Sequence, residues 1–103
     1  MRKVKVFVHG KDAGILTEIE PEKSYSFEYI EEYDGYPVSL TMPVKEKRFH
    51  FDNFPPFFDG VLPEGFMLDA LLKHSKIDRN DHFSQLITTG KDLVGAITVE
   101  EIT

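Results

Sequence analysis

The chain has no cysteine and no tryptophan in 103 residues. Without Cys there can be no disulfide framework, no thiolate-bound zinc and no thiol nucleophile, a composition that suits a reducing cytosol. No run of about 18 apolar residues occurs, so no membrane-spanning helix is expected. The start, Met1 to Val8, alternates basic and apolar residues instead of forming a secretory core of roughly 7–15 apolar residues. The expectation is a cytoplasmic protein. The seven glycines are scattered, and none is followed by Lys-Ser or Lys-Thr ahead of a helix, so the phosphate cradle of a nucleotide site is missing. Basic residues are also scarce. Twelve Lys and Arg against eighteen Asp and Glu leave a net charge of −6, which repels a phosphate backbone and argues against direct nucleic-acid binding. The four histidines (His9, His50, His74, His82) never recur at the i, i+4 spacing that puts two metal ligands on one helix face. No metal and no cofactor is expected.

What is present is an ordinary globular composition, 41% hydrophobic with nine Phe, and a length that fits one domain, residues 1–103. Lys3 to His9 alternates with period two, putting Val4, Val6 and Val8 on one face of a strand. Gly10-Lys11 reads as the centre of a two-residue turn into a second strand over Gly14–Glu20. Pro21 ends that ladder. Ser24–Tyr29 alternates again, with Tyr25, Phe27 and Tyr29 on one face, and Asp34-Gly35 is expected to turn the chain into a fourth strand over Val38–Met42. Phe49-His50-Phe51 is short and of undecided type. The first strand's surroundings, Arg2 to Lys11, carry four basic residues and no acid, whereas Asp12 to Asp34 carries eight acids against Lys23 alone. Pairing of the first two strands would partly neutralise the two blocks.

The second half changes period. Pro55-Pro56-Phe57-Phe58-Asp59-Gly60 is expected to be an ordered apolar loop, because consecutive prolines fix two backbone angles and remove two donors. Pro63 and Glu64 suit the first turn of a helix running to His74. Asn80 is expected to cap a second helix, with Asp81 in its first turn, Phe83, Leu86 and Ile87 as its buried stripe and Gly90 closing it. Gly95–Glu100 reads as a last strand with Ile97 and Val99 inward. The fold class is α+β, a mostly antiparallel sheet of about five strands with two short helices.

Enzyme chemistry finds little support. His50 with Asp52, or Asp69 with Lys73, could serve as acid–base partners, but such pairs arise by chance in a chain this rich in carboxylates. A small acidic enzyme or ligand-binding domain would need a pocket of converging polar groups that the sequence does not display. No catalytic residue is assigned. The first helix carries a sharper signal. At about 100° per residue, Met67, Leu71, Leu68 and Leu72 span one arc of about 140°, expected to face the sheet, and Phe66 falls about 100° outside it among Asp69 and Lys73. Either the Phe66 ring folds back on Phe57, Phe58 or Pro63 to close the helix end, or it is an aromatic anchor for a partner. Phe57 and Phe58 share the ambiguity, with at least one of them core.

The strings Tyr36-Pro37-Val38-Ser39-Leu40-Thr41-Met42-Pro43, Phe54-Pro55-Pro56-Phe57-Phe58-Asp59-Gly60-Val61-Leu62-Pro63-Glu64-Gly65, Ile77-Asp78-Arg79-Asn80-Asp81 and Gly90-Lys91-Asp92-Leu93-Val94-Gly95-Ala96 together resemble the amino-terminal subdomain of HipA-type Ser/Thr kinases. In those kinases the ATP-binding and catalytic residues lie in a later portion, of which nothing is found in this chain. As a free-standing unit the chain is similar to HipS, the small antitoxin of tripartite HipBST toxin–antitoxin systems. The resemblance implies a HipT-type kinase toxin as partner, held inactive by this protein, and a HipB-type helix-turn-helix DNA-binding protein as a further member of the complex. It also implies tryptophanyl-tRNA synthetase as the toxin's target. The residues it points to are the loop and helix start, Phe57, Phe58, Asp59, Pro63, Glu64, Gly65 and Phe66, with Asp69 and Lys73 alongside. The family commonly has Trp after Pro-Glu-Gly, directed at the toxin's active site; Phe66 keeps an apolar ring there but lacks the indole N–H. The alternative is an amino-terminal regulatory part of a fused HipA-type kinase, in which the same surface packs intramolecularly.

Overall fold

The structure is a computed structural model, and it describes residues 1–93 and 95–102. Val94, within the Gly90–Ala96 string, and Thr103 lie outside the described residues. Five strands, β1 (Arg2–Val8), β2 (Lys11–Glu20), β3 (Ser24–Tyr29), β4 (Arg48–Phe51) and β5 (Ile97–Ile102), form one sheet in the order β4-β3-β2-β1-β5, every neighbouring pair antiparallel. Three helices follow β4: α1 (Pro56–Gly60), α2 (Gly65–Ser75) and α3 (His82–Thr89). The period-two faces read from the sequence are the buried ones. Val4, Val6 and Val8 of β1, Leu16 of β2, Tyr25, Phe27 and Tyr29 of β3, and Ile97 and Val99 of β5 pack against Phe58, Phe83 and Leu86.

Four expectations are corrected. The β1–β2 turn is centred on His9-Gly10, not Gly10-Lys11: both residues have positive φ, +51° and +77°, the handedness that lets a two-residue hairpin follow the twist of its strands. The fourth strand is Arg48–Phe51. Val38–Met42 instead reverses direction, with Met42 N–H donating to Ser39 O at 2.9 Å. Pro56 does not prevent regular structure but opens the short helix α1, because the N–H it lacks would have no partner in a first turn. Finally, α3 is capped one residue later than expected. Asp81, not Asn80, is the N-cap, its Oδ1 accepting from Ser84 N–H and its Oδ2 from the Ser84 hydroxyl. Gly90 does end α3, in a right-handed conformation. A Cβ there would meet the Val99 carbonyl at 2.4 Å, so close packing on β5 requires the glycine.

The opposite charge blocks on β1 and β2 do meet. Arg2 grips the Glu18 carboxylate with Nε and Nη2 (2.8 and 3.0 Å), reaches Asp81 at 2.8 Å and Ser84 Oγ at 2.6 Å, and lies 5.1 Å over the Phe83 ring. Glu18 is 3% exposed, so Arg2 neutralises a buried carboxylate while joining the sheet to the start of α3. Burial alone would raise the Asp81 pKa, but hydrogen bonds from Ser84 and Arg2 outweigh it and hold the group below the ordinary carboxyl value. A depressed folded pKa stabilises the fold above the unfolded value and loses that contribution as pH falls through the folded one. Denaturant unfolding followed from pH 7 downward is therefore expected to show stability falling below about pH 4. The fall should be shallower in Asp81→Asn.

Candidate functional site

The helix α2 is built differently from α3. None of its residues is buried, and its apolar arc makes only half of the expected contact: Leu68, Leu71 and Leu72 are half-buried, while Met67 is 72% exposed. This corrects the reading of Met67 as part of a face closed on the sheet. Met67, Ala70, Leu71 and His74 instead line one wall of an open groove of about 550 Å³, whose other walls are Val61, Leu62 and Pro63 before the helix, Thr89 at the end of α3, and Asp92 and Leu93 after it. The groove is mainly apolar, with Glu64, Asp92 and His74 among its polar members.

Phe66 stands at the head of this helix and is 93% exposed. The alternative in which its ring folds back on the loop is thereby removed. Its direction is set locally. Glu64 is extended, and Gly65, the first helical residue, has φ of +57°, so the chain swings into the helix through a conformation that L side chains resist. No neighbouring atom lies within 4 Å of where a Cβ would sit on Gly65, so backbone conformation, not space, calls for glycine. Gly65→Ala is expected to cost about 1 kcal/mol, read by chemical denaturation. Asp69 is held at 2.8 Å by Arg79, from the segment after the helix, and not by Lys73. Phe66 is exposed on the same helix as the groove residues Met67 and Ala70, themselves exposed, with Asp69 and Lys73 also exposed on α2.

The nine residues singled out from the sequence do not form one surface. Phe58 is fully buried, 6.3 Å from Phe27 and 5.3 Å from Phe57 between ring centroids, and so is a core residue and not a partner contact. Phe57 is half-buried against it. Asp59 is exposed but lines a separate polar recess with Glu22, Asn53 and Asn80. Pro63 lies ahead of the helix, not in its first turn, and with Glu64 lines the groove; Gly65, Phe66, Asp69 and Lys73 are exposed on α2. Sequence reasoning missed the groove residues Met67, Ala70, His74 and Leu93. Ala70 falls on the helical wheel between Phe66 and Met67, which was the available sign that the apolar arc continues outward. His50 and Asp52 do touch, at 3.1 Å, on open surface at the edge strand β4. Among the described residues no three His, Asp or Glu side chains are gathered as a metal site.

The antiparallel sheet thus has α1 and α3 packed into its core, through Phe58, Phe83 and Leu86, while α2 stands off with Phe66 and Met67 exposed. Residues 4–100 match the family model of the HipA N-terminal domain, and the chain belongs to that family. A solved structure described as the N-terminal domain of HipA toxin superimposes with a TM-score of 0.78 at 30% identity, covering 100% of this chain and 94% of that one. A Haemophilus influenzae protein described as an uncharacterized protein is 34% identical over 101 residues, 98% of this chain and 93% of its own length.

Proposed function

We propose that this domain is a HipS-like antitoxin, a non-catalytic module that docks on a HipT-type Ser/Thr kinase toxin and inhibits it, with Phe66 as the inserted side chain. The observation that carries the reading is the 93% exposure of Phe66 at the head of a helix with no buried residue of its own. Leaving a benzyl group in water contributes nothing to folding, whereas burying it in a partner can contribute 2 kcal/mol or more. Inhibition is steric: a glycine-set helix start places the ring, and Pro63 just before it reduces the conformational entropy lost on binding. A HipB-type protein, not this chain with its net charge of −6, is the member suited to meet DNA.

The second reading, an amino-terminal regulatory part of a fused kinase, uses the same surface within one chain. It draws support from the family itself, which is named for the front of HipA. Support for a separately encoded domain comes from the Haemophilus relative, hardly longer than the span it shares with this chain. The test is to add the purified domain to a HipT-type kinase that lacks this subdomain and follow phosphate transfer to its substrate. A stoichiometric complex with reduced transfer is expected. A rate unchanged at excess domain, with no complex on gel filtration, would reject the reading.

A further inference from the structure

The polar recess that contains Asp59 is built from separated segments. Glu22 comes from the turn between β2 and β3, Asn53 follows β4, Asp59 lies in α1, and Asn80 and His82 flank the N-cap of α3, around an open space of about 460 Å³. Phe54 gives it an aromatic wall, edge-on to Tyr25 at 5.3 Å and tilted against the His82 ring, also at 5.3 Å. None of these residues lines the groove beside α2. The neighbouring charges are already engaged: Asp81 is held by Arg2 and Ser84, and Arg79 by Asp69. Glu22 and Asp59 form no ion pair among the described residues, and Lys23, next to Glu22, neither pairs nor lines the recess.

Tyr25 supplies an independent sign. It is 1% exposed yet lines the recess, and while the Glu22 main chain hydrogen-bonds to its hydroxyl, the hydroxyl's own proton reaches no acceptor among the described residues. The buried Tyr29 and Tyr33 differ, donating to the Met42 and Tyr36 carbonyls. Desolvation raises the Tyr25 pKa, so the proton stays in place. A buried donor left unused costs the fold stability that a ligand can restore. The recess offers two carboxylates, two amide oxygens and a phenol oxygen, with no Lys or Arg among them. A flat cation with several N–H groups satisfies such a set and lies against an aromatic wall, whereas a compact ammonium reaches fewer acceptors at once. We propose that this recess binds a guanidinium group on an alkyl stem, as carried by free arginine and by arginine residues of proteins. Glu22 and Asp59 supply its carboxylates, and the Tyr25 hydroxyl accepts one N–H while donating to a carboxylate drawn in by the cation. The site is independent of the kinase reading.

The experiment titrates the isotope-labelled domain at neutral pH with N-acetyl-arginine methylamide, its lysine counterpart and free arginine, following amide NMR shifts, with Tm measured for each variant. The capped arginine is expected to move the amides of Glu22, Asp59 and Asn80 and the side-chain amides of Asn53 and Asn80, with Kd on the order of 1 mM, the affinity that ordinary small-ligand efficiency gives. The lysine counterpart should bind at least about 3-fold more weakly. Glu22→Gln and Asp59→Asn should each weaken the capped arginine about 5-fold or more with Tm within about 3 °C of wild type. Tyr25→Phe should weaken it about 3-fold with Tm equally unchanged, because the hydroxyl proton holds nothing in the free fold. Free arginine binding as well as the capped form supports the site and makes its source a metabolite. Binding of the capped form alone also supports it, and makes the source an arginine residue of a protein, since the free carboxylate meets the acidic rim. Equal binding of the lysine counterpart, shifts scattered over the acidic surface, or no shift at roughly 10 mM overturns the proposal. A fall in Tm in Tyr25→Phe with affinity unchanged would make the hydroxyl structural and overturn it too.

Discussion

Phe66→Ala is expected to weaken binding of a HipT-type kinase about 30-fold or more, the effect of removing an interface anchor worth at least about 2 kcal/mol. The same substitution should leave folding stability within about 0.5 kcal/mol, because the ring has almost no contact to lose in the free domain. Titration calorimetry against the kinase and denaturant unfolding of the free variant read the two quantities separately. The dissociation between them is what distinguishes an anchor from a core residue. Phe66→Trp should bind at least as tightly as wild type, since indole offers more area and an N–H donor.

Phe58→Ala is expected to do the reverse, costing about 3–5 kcal/mol of folding stability. The ring fills the core between β3 and α1, against Phe27 and Phe57, and its loss opens a cavity that backbone from a sheet and a proline-led helix cannot easily close. That is a large share of the roughly 5–15 kcal/mol that holds a domain folded, so a marked fall in the urea midpoint is expected. Phe57→Ala, half-buried, should cost less, about 1–2 kcal/mol. Adjacent phenylalanines would then separate cleanly in one denaturation series.

The sheet was legible where burial alternates along a strand. Val4, Val6 and Val8 of the first strand, and Tyr25, Phe27 and Tyr29 of the third, share one side only if the chain is extended, and they do, with Phe7 half-buried on the other face. Val38-Ser39-Leu40-Thr41-Met42 shows the same period, and the reading failed there for a physical reason. A tight reversal also buries residues two before and two after its apex, so the pattern alone does not tell a strand from a turn with buried legs; the exposure of Leu40 does. The β4 strand was illegible because four residues are too few to show a period, and Phe49 and Phe51 are only half covered at the sheet edge. Phe66 was legible because a helical wheel assigns direction from sequence spacing alone. The groove beside it was not, since Leu62, Met67 and Leu93 come together only once α3 and β5 fix where the later chain passes. On α2 the wheel gave the orientation of each side chain but not how closely the helix approaches the sheet, and that distance decides whether Met67 is core or surface.

The chain has no tryptophan, so Phe66→Trp grown with 5-fluorotryptophan carries a single fluorine resonance at the residue on which the account depends. In the free domain that resonance should respond to exchange of H2O for D2O, as an exposed ring does. On adding a HipT-type kinase, the account predicts that the resonance shifts and its solvent response disappears as the ring enters the partner. A complex that forms while the resonance stays in place and keeps its solvent response would contradict it.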